Sequence, residues 1–146
     1  MSAGKPTTAP IELKFKNLND QGFIGSLKGL VNHKWEDMTT AYRLKRLLDK
    51  VDSESKRAQE FWQEQFKKIE LVEENGQKTP KDVKAFEEMQ KSFLETPCEM
   101  GNRQKFHINS FIGYKFSAVE MLALEPILAG LEELENEGGD NGEEKH

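Results

Sequence analysis

Apolar and charged residues alternate from Ile11 to Lys16, in the order Ile-Glu-Leu-Lys-Phe-Lys. A two-residue period of this kind marks a half-buried strand. The spacing then changes. Phe23, Ile24, Leu27, Leu30 and Val31 fall at i, i+1, i+4, i+7 and i+8, which is one face of a helix. Asn17 to Asp20 reads as the turn between the two, and Asp20 is placed to cap the helix with its carboxylate. Three glycines inside this helix weaken it by about 1 kcal/mol each relative to alanine.

The dominant pattern runs from about Glu36 to Val72. Met38, Ala41, Leu44, Leu48, Val51, Ala58, Trp62 and Ile69 recur at helical steps, with Leu47, Phe61 and Phe66 beside them. No Gly or Pro interrupts the run. A continuous helix of about 37 residues would span about 55 Å. The stripe turns polar at Ser55 and Gln65, and residues 52–57 are polar throughout, so a bend there is weighed against one unbroken helix; the unbroken helix is preferred. Asn75-Gly76 ends it with a turn. A second helix is announced by Thr79 as cap, Pro80 at the first helical position and Asp82 three residues after the cap. Val83, Phe86, Met89, Phe93 and Leu94 form its expected buried face, and Pro97 stops it. The short connection predicts an antiparallel pair.

Residues 98–116 are poorly periodic, with Met100, Phe106 and Ile108 available to pair with residues 11–16. Ser117-Ala118-Val119-Glu120 is a capping box for a last helix. Val119, Leu122, Ile127, Leu131 and Leu134 are expected to line it, and Pro126 to kink or restart it. The expected fold is therefore mostly α with minor β. It comprises a long antiparallel helical hairpin, a C-terminal helix, and a small two- or three-stranded sheet using residues 11–16. A single domain over 11–137 is expected between a disordered N-terminus (1–10) and a disordered acidic tail (138–146).

Charge and composition sharpen this only in part. At 146 residues the chain suits one core, and 32% charged residues against 36% hydrophobic ones suit helices with long solvated faces. The net charge of −5 disfavours nucleic acid as a partner, but it is uneven. Residues 1–50 carry nine Lys/Arg against five Asp/Glu, and residues 117–146 one Lys against nine acids. A solubilising tail is weighed against head-to-tail self-association or a basic partner. A single cysteine excludes an internal disulfide, and no apolar run long enough for a membrane span or leader is present. A cytoplasmic location, with no membrane partner, is expected.

No chemistry-bearing motif emerges. His33, His107 and His146 lie in no ligand spacing and Cys98 has no cysteine partner, so neither metal nor cofactor is expected. Cys98 sits beside Glu99, whose charge opposes thiolate formation. Gly22-Phe23-Ile24-Gly25 has the glycine spacing of an RNA-backbone clamp but lacks basic residues inside it. Phosphate-loop glycines are absent too, and the paired glutamates read as exposed faces, where no burial moves a carboxyl pKa. No catalytic residue is expected. Arg43, Lys45, Arg46, Lys50, Lys56 and Arg57 form a basic set, but Asp49, Asp52 and Glu54 interleave with it, and intrahelical pairing accounts for it. Phe61, Trp62 and Phe66 are the candidate contact residues. Phe61 and Trp62 are adjacent and point about 100° apart. At least one of them is expected to be exposed in the isolated chain and to meet a partner.

Leu13-Lys14-Phe15-Lys16-Asn17, Tyr42-Arg43-Leu44, Glu73-Glu74-Asn75-Gly76 and Ser117-Ala118-Val119-Glu120 occur in an order that resembles a family of short uncharacterised proteins encoded by tailed bacteriophages. The resemblance spans most of residues 11–135 and implies origin rather than mechanism. With it, the expected function is that of a non-enzymatic phage-type protein acting through protein–protein contacts. It would be a structural or assembly component in host cytoplasm or virion, with itself as one partner in a homo-oligomer. The alternative is a small regulatory protein that inhibits a host or nucleic-acid-linked target through its basic helix face. An enzyme assembled from scattered polar residues ranks third.

Overall fold

A computed structural model of the chain describes residues 9–134; the expectations for residues 1–8 and for the tail at 138–146 lie outside the described residues. The elements are α1 (Phe15–Leu18), α2 (Gln21–Asn32), α3 (Met38–Lys67), β1 (Leu71–Glu74), β2 (Gln77–Pro80), α4 (Val83–Leu94), β3 (Phe106–His107), α5 (Ala118–Ala123) and β4 (Leu128–Ala129). Single 3-10 turns occupy Ile108–Phe111 and Glu125–Ile127. The fold is mostly α with two small two-stranded sheets, one antiparallel (β1–β2) and one parallel (β3–β4).

The 30-residue α3 is the spine, and it runs unbroken through the polar stretch at 52–57. Asp37 caps it by accepting from the Thr39 amide. Leu44, Leu47, Val51, Glu54 and Ala58 are its buried stripe, spaced by three and four residues as a helix packed on one side requires. Against the N-terminal half lies α2, whose Phe23, Leu27 and Leu30 are fully buried. Asp20 caps α2 as the sequence predicted, accepting from the Gly22 and Phe23 amides. Against the C-terminal half lies α4, through rings. Phe66 meets Phe86 at 6.3 Å and Trp62 meets Phe93 at 5.0 Å between centroids, in the reversed order of an antiparallel pair.

Several expectations are corrected. Residues 11–16 form no sheet strand. Ile11, Leu13 and Phe15 are buried while Glu12, Lys14 and Lys16 face water, so the alternation holds. The partner segment, however, turns away at Gly101 (φ +67), and the pairing reduces to isolated bridges at Pro10–Gln104 and Lys14–Pro97. Phe15 already begins α1. The long helix ends at Lys67 rather than Val72, because Asn75-Gly76, with φ of 52° and 80°, closes a β-hairpin between the helices. Positive φ at both central residues is the geometry that matches strand twist. Thr79 and Pro80 belong to β2, and Asp82 caps α4 by accepting from the Ala85 amide. Of α4's expected face only Phe93 is buried, and Val83 is 56% exposed. Ser117 and Glu120 form the predicted capping box, but Val119 and Leu122 point outward. The helix is only six residues long, and α2 covers its other side.

Candidate protein-contact site

Phe61, Trp62 and Phe66 all sit on the last turns of α3, and α4 divides them. Phe61 faces Phe15 and Phe93, at 6.0 Å and 6.1 Å between centroids. Trp62 lies edge-on to Phe93 and Phe86, with Phe66 beside it at 6.3 Å. Phe61 and Phe66 each keep 37% of their surface in water, and Trp62 is half-buried. The cover over this face comes from α1 and α4, while α5 packs on α2.

Beside Trp62 the surface opens into a notch of about 380 Å³ where α3, α4 and the α1–α2 corner meet. Its floor is Leu18, Ala58, Trp62, Phe93 and Leu94. Its rim is Asn19, Ser55, Gln59 and Gln90. None of these rim side chains is engaged in a hydrogen bond among the described residues, and no charged residue lines the space. An apolar floor with neutral donors and acceptors free at its edge is suited to a neutral, largely apolar occupant. Trp62 is the only lining residue that the sequence singled out as a contact. The rest come from three separate elements as ordinary neutral residues, which carry no local signal of a shared site.

One turn before Ala58 on α3, Glu54 is the one buried carboxylate among the described residues, with its side chain 3% exposed. It accepts from both the Nε and Nη2 of Arg57 and from the Glu99 amide at 2.8 Å, and Lys50 stands 3.6 Å away. Burial pushes this carboxyl up, but Arg57, the Glu99 amide and Lys50 outweigh that and hold it below its ordinary range. A sequence signal did exist. Glu54 occupies the register of Val51 and Ala58, an apolar slot filled by an acid. Its satisfied hydrogen bonds tie the 97–100 loop to mid-helix and leave no open position for a ligand. Cys98 nearby is half-buried, and burial, then the charge of Glu54, pushes its thiol to about 11. Such a thiol is a poor nucleophile at neutral pH.

The basic set is turned mostly inward on itself. Arg43 lies 4.1 Å over the Phe106 ring and donates to the Gln104 carbonyl. Lys45 pairs with Asp49, Arg46 stands over Tyr42, and Lys50 and Arg57 converge on Glu54. Among the described residues Lys56 alone of the six has no such partner. The glycines of α2 serve packing at two points, where Gly22 faces Ala123 and Gly29 faces the Tyr114 hydroxyl. His107 accepts from the Asn109 amide through Nδ1, and His33 packs between Trp35 and Tyr114. No group of three or more metal-ligating side chains occurs among the described residues, and no described helix is long and apolar enough to cross a membrane. No family model matches this chain, and neither does any curated protein or solved structure.

Proposed function

We propose that this protein is non-enzymatic and works by protein–protein contact, as a structural or assembly component, through the aromatic end of α3 and the notch beside Trp62. One observation carries the reading. In a chain with 32% charged residues, nine residues from three elements line an uncharged notch whose rim side chains bond to no other described residue. Next to it two phenylalanine rings remain 37% exposed. Interfaces favour such sites, because their centres are aromatic and depleted of charge. The resemblance to short phage-encoded proteins supplies the assembly setting. The rival, inhibition through the basic helix face, draws less support, since five of those six cations already have intramolecular partners.

A photoreactive phenylalanine analogue at position 61, in cells that make the protein, tests this reading. The expected result is a discrete protein adduct at position 61 and none with the analogue at the exposed Glu87 position on α4. Adducts to nucleic acid alone, or equal labelling at both positions, would overturn it.

A further inference from the structure

The notch has a counterpart on the same molecule. On α5, Ala118, Val119 and Leu122 share the face turned away from α2, with Val119 73% and Leu122 72% exposed. Residues three apart on a helix stand side by side, so Val119 and Leu122 make one apolar knob. A pair of large aliphatic side chains this exposed, on a helix whose other side is packed, is an unfilled apolar contact. The knob is also near the notch. The Ala123 side chain lies 3.9 Å from where a Cβ on Gly22 would stand, which puts α5 against the first turn of α2. Leu18 and Asn19, just before that turn, form one end of the notch.

Resting on the reading of the notch as a contact site, we propose that its occupant is a second copy of this chain. The Val119–Leu122 knob of each protomer seats in the notch of the other about a two-fold axis. A surface that carries both a knob and the socket for it is self-complementary, which is the requirement for a closed two-fold dimer. The chemistry of the two halves matches. The knob's outward side chains are apolar and none of the nine residues lining the notch is charged, so seating one in the other desolvates no charge of their own. The free carboxamides of Asn19, Gln59 and Gln90 are left to meet the backbone and polar edge of the incoming α5.

The experiment is sedimentation equilibrium on the full chain at physiological salt, from micromolar to millimolar concentration. The mass rises from 16.8 kDa toward twice that value. Leu122→Glu and Gln59→Arg alter exposed positions at the knob and the rim, leave the helical circular dichroism and melting unchanged, and each abolishes the dimer alone. Mixed in equal amounts, the two variants regain it. One side of the heterodimer then joins an intact knob to an intact notch, and the other sets the introduced carboxylate against the introduced guanidinium. A wild-type chain that stays monomeric throughout, a dimer indifferent to either substitution, or a mixture that remains monomeric overturns the arrangement. A monomer that still cross-links to a different protein from position 61 refutes self-docking alone and leaves the contact-site reading standing.

Discussion

Glu54 shows how one side chain joins parts of this chain that are far apart in sequence. It lies in the stripe by which α3 meets the core, yet it receives Arg57 from its own helix and the Glu99 amide from the loop after α4. That loop in turn holds the N-terminal segment, since the Cys98 amide donates to the Leu13 carbonyl and the Phe15 amide to that of Thr96. Removing the charge weakens all of these links at one point. Glu54→Gln is expected to cost about 1–3 kcal/mol near neutral pH, the range for impairing a buried hydrogen-bonded group. Chemical denaturation checks it. The pH dependence has a definite sign. The folded-state pKa lies below the ordinary 4.5, so the stabilisation is present above that value and is lost as pH falls through the folded pKa. The wild-type and Glu54→Gln stability curves therefore converge in acid. Cys98 gives a second test at this scale. With its thiol raised to about 11, alkylation at neutral pH should run far slower than for a free cysteine and accelerate only in strong base. Fast labelling in the native protein would contradict the half-buried placement of Cys98, the larger cause of its raised pKa.

Among the elements, α4 is held by two rings, Phe86 against Trp62 and Phe66, and the more deeply buried Phe93. Phe93 contacts Phe15, Phe61 and Trp62, all with centroids between 5.0 Å and 6.1 Å. Phe93→Ala is expected to cost about 3–5 kcal/mol, whereas Val83→Ala, at a 56% exposed site, should stay within about 0.5 kcal/mol. Urea melts of the two variants check the contrast. In the hairpin, Gly76 has φ +80, and Gly76→Ala is expected to cost about 1 kcal/mol without changing helix content. Much of this level was legible in the residue pattern. The continuous α3, the Asp20 cap, the Ser117 capping box and the antiparallel pairing of α3 with α4 all follow from spacing and cap chemistry. The alternation at 11–16 determined which side chains are buried, yet burial period alone does not supply a ladder, and Gly101 bends the partner segment away. Asn75-Gly76 marked a turn, and its two positive φ values make that turn the centre of a hairpin. Val119 and Leu122 fit a buried helical face by period, but the burying neighbour lies on the other side of α5.

For the whole molecule, the pattern on a single chain cannot show which apolar residues close against one another and which stay open. Trp62 was legible as a candidate contact because a long helix with one partner helix covers one stripe. The remainder of the notch was not, because Leu18, Ser55, Gln59 and Gln90 become neighbours only when three elements converge. In the proposed dimer the occupant of that notch comes from α5, which packs on α2. Two tryptophans separate this surface from the rest of the protein, since Trp35 is held elsewhere by its indole N–H donating to the Leu30 carbonyl and by Tyr114 and Phe111. The most direct measurement is fluorine NMR of the protein labelled with fluorotryptophan, recorded across a dilution series. The Trp62 resonance should move or split as the protein is concentrated while that of Trp35 stays in place. A Trp62 signal that stays fixed and sharp from micromolar to millimolar protein would contradict the account.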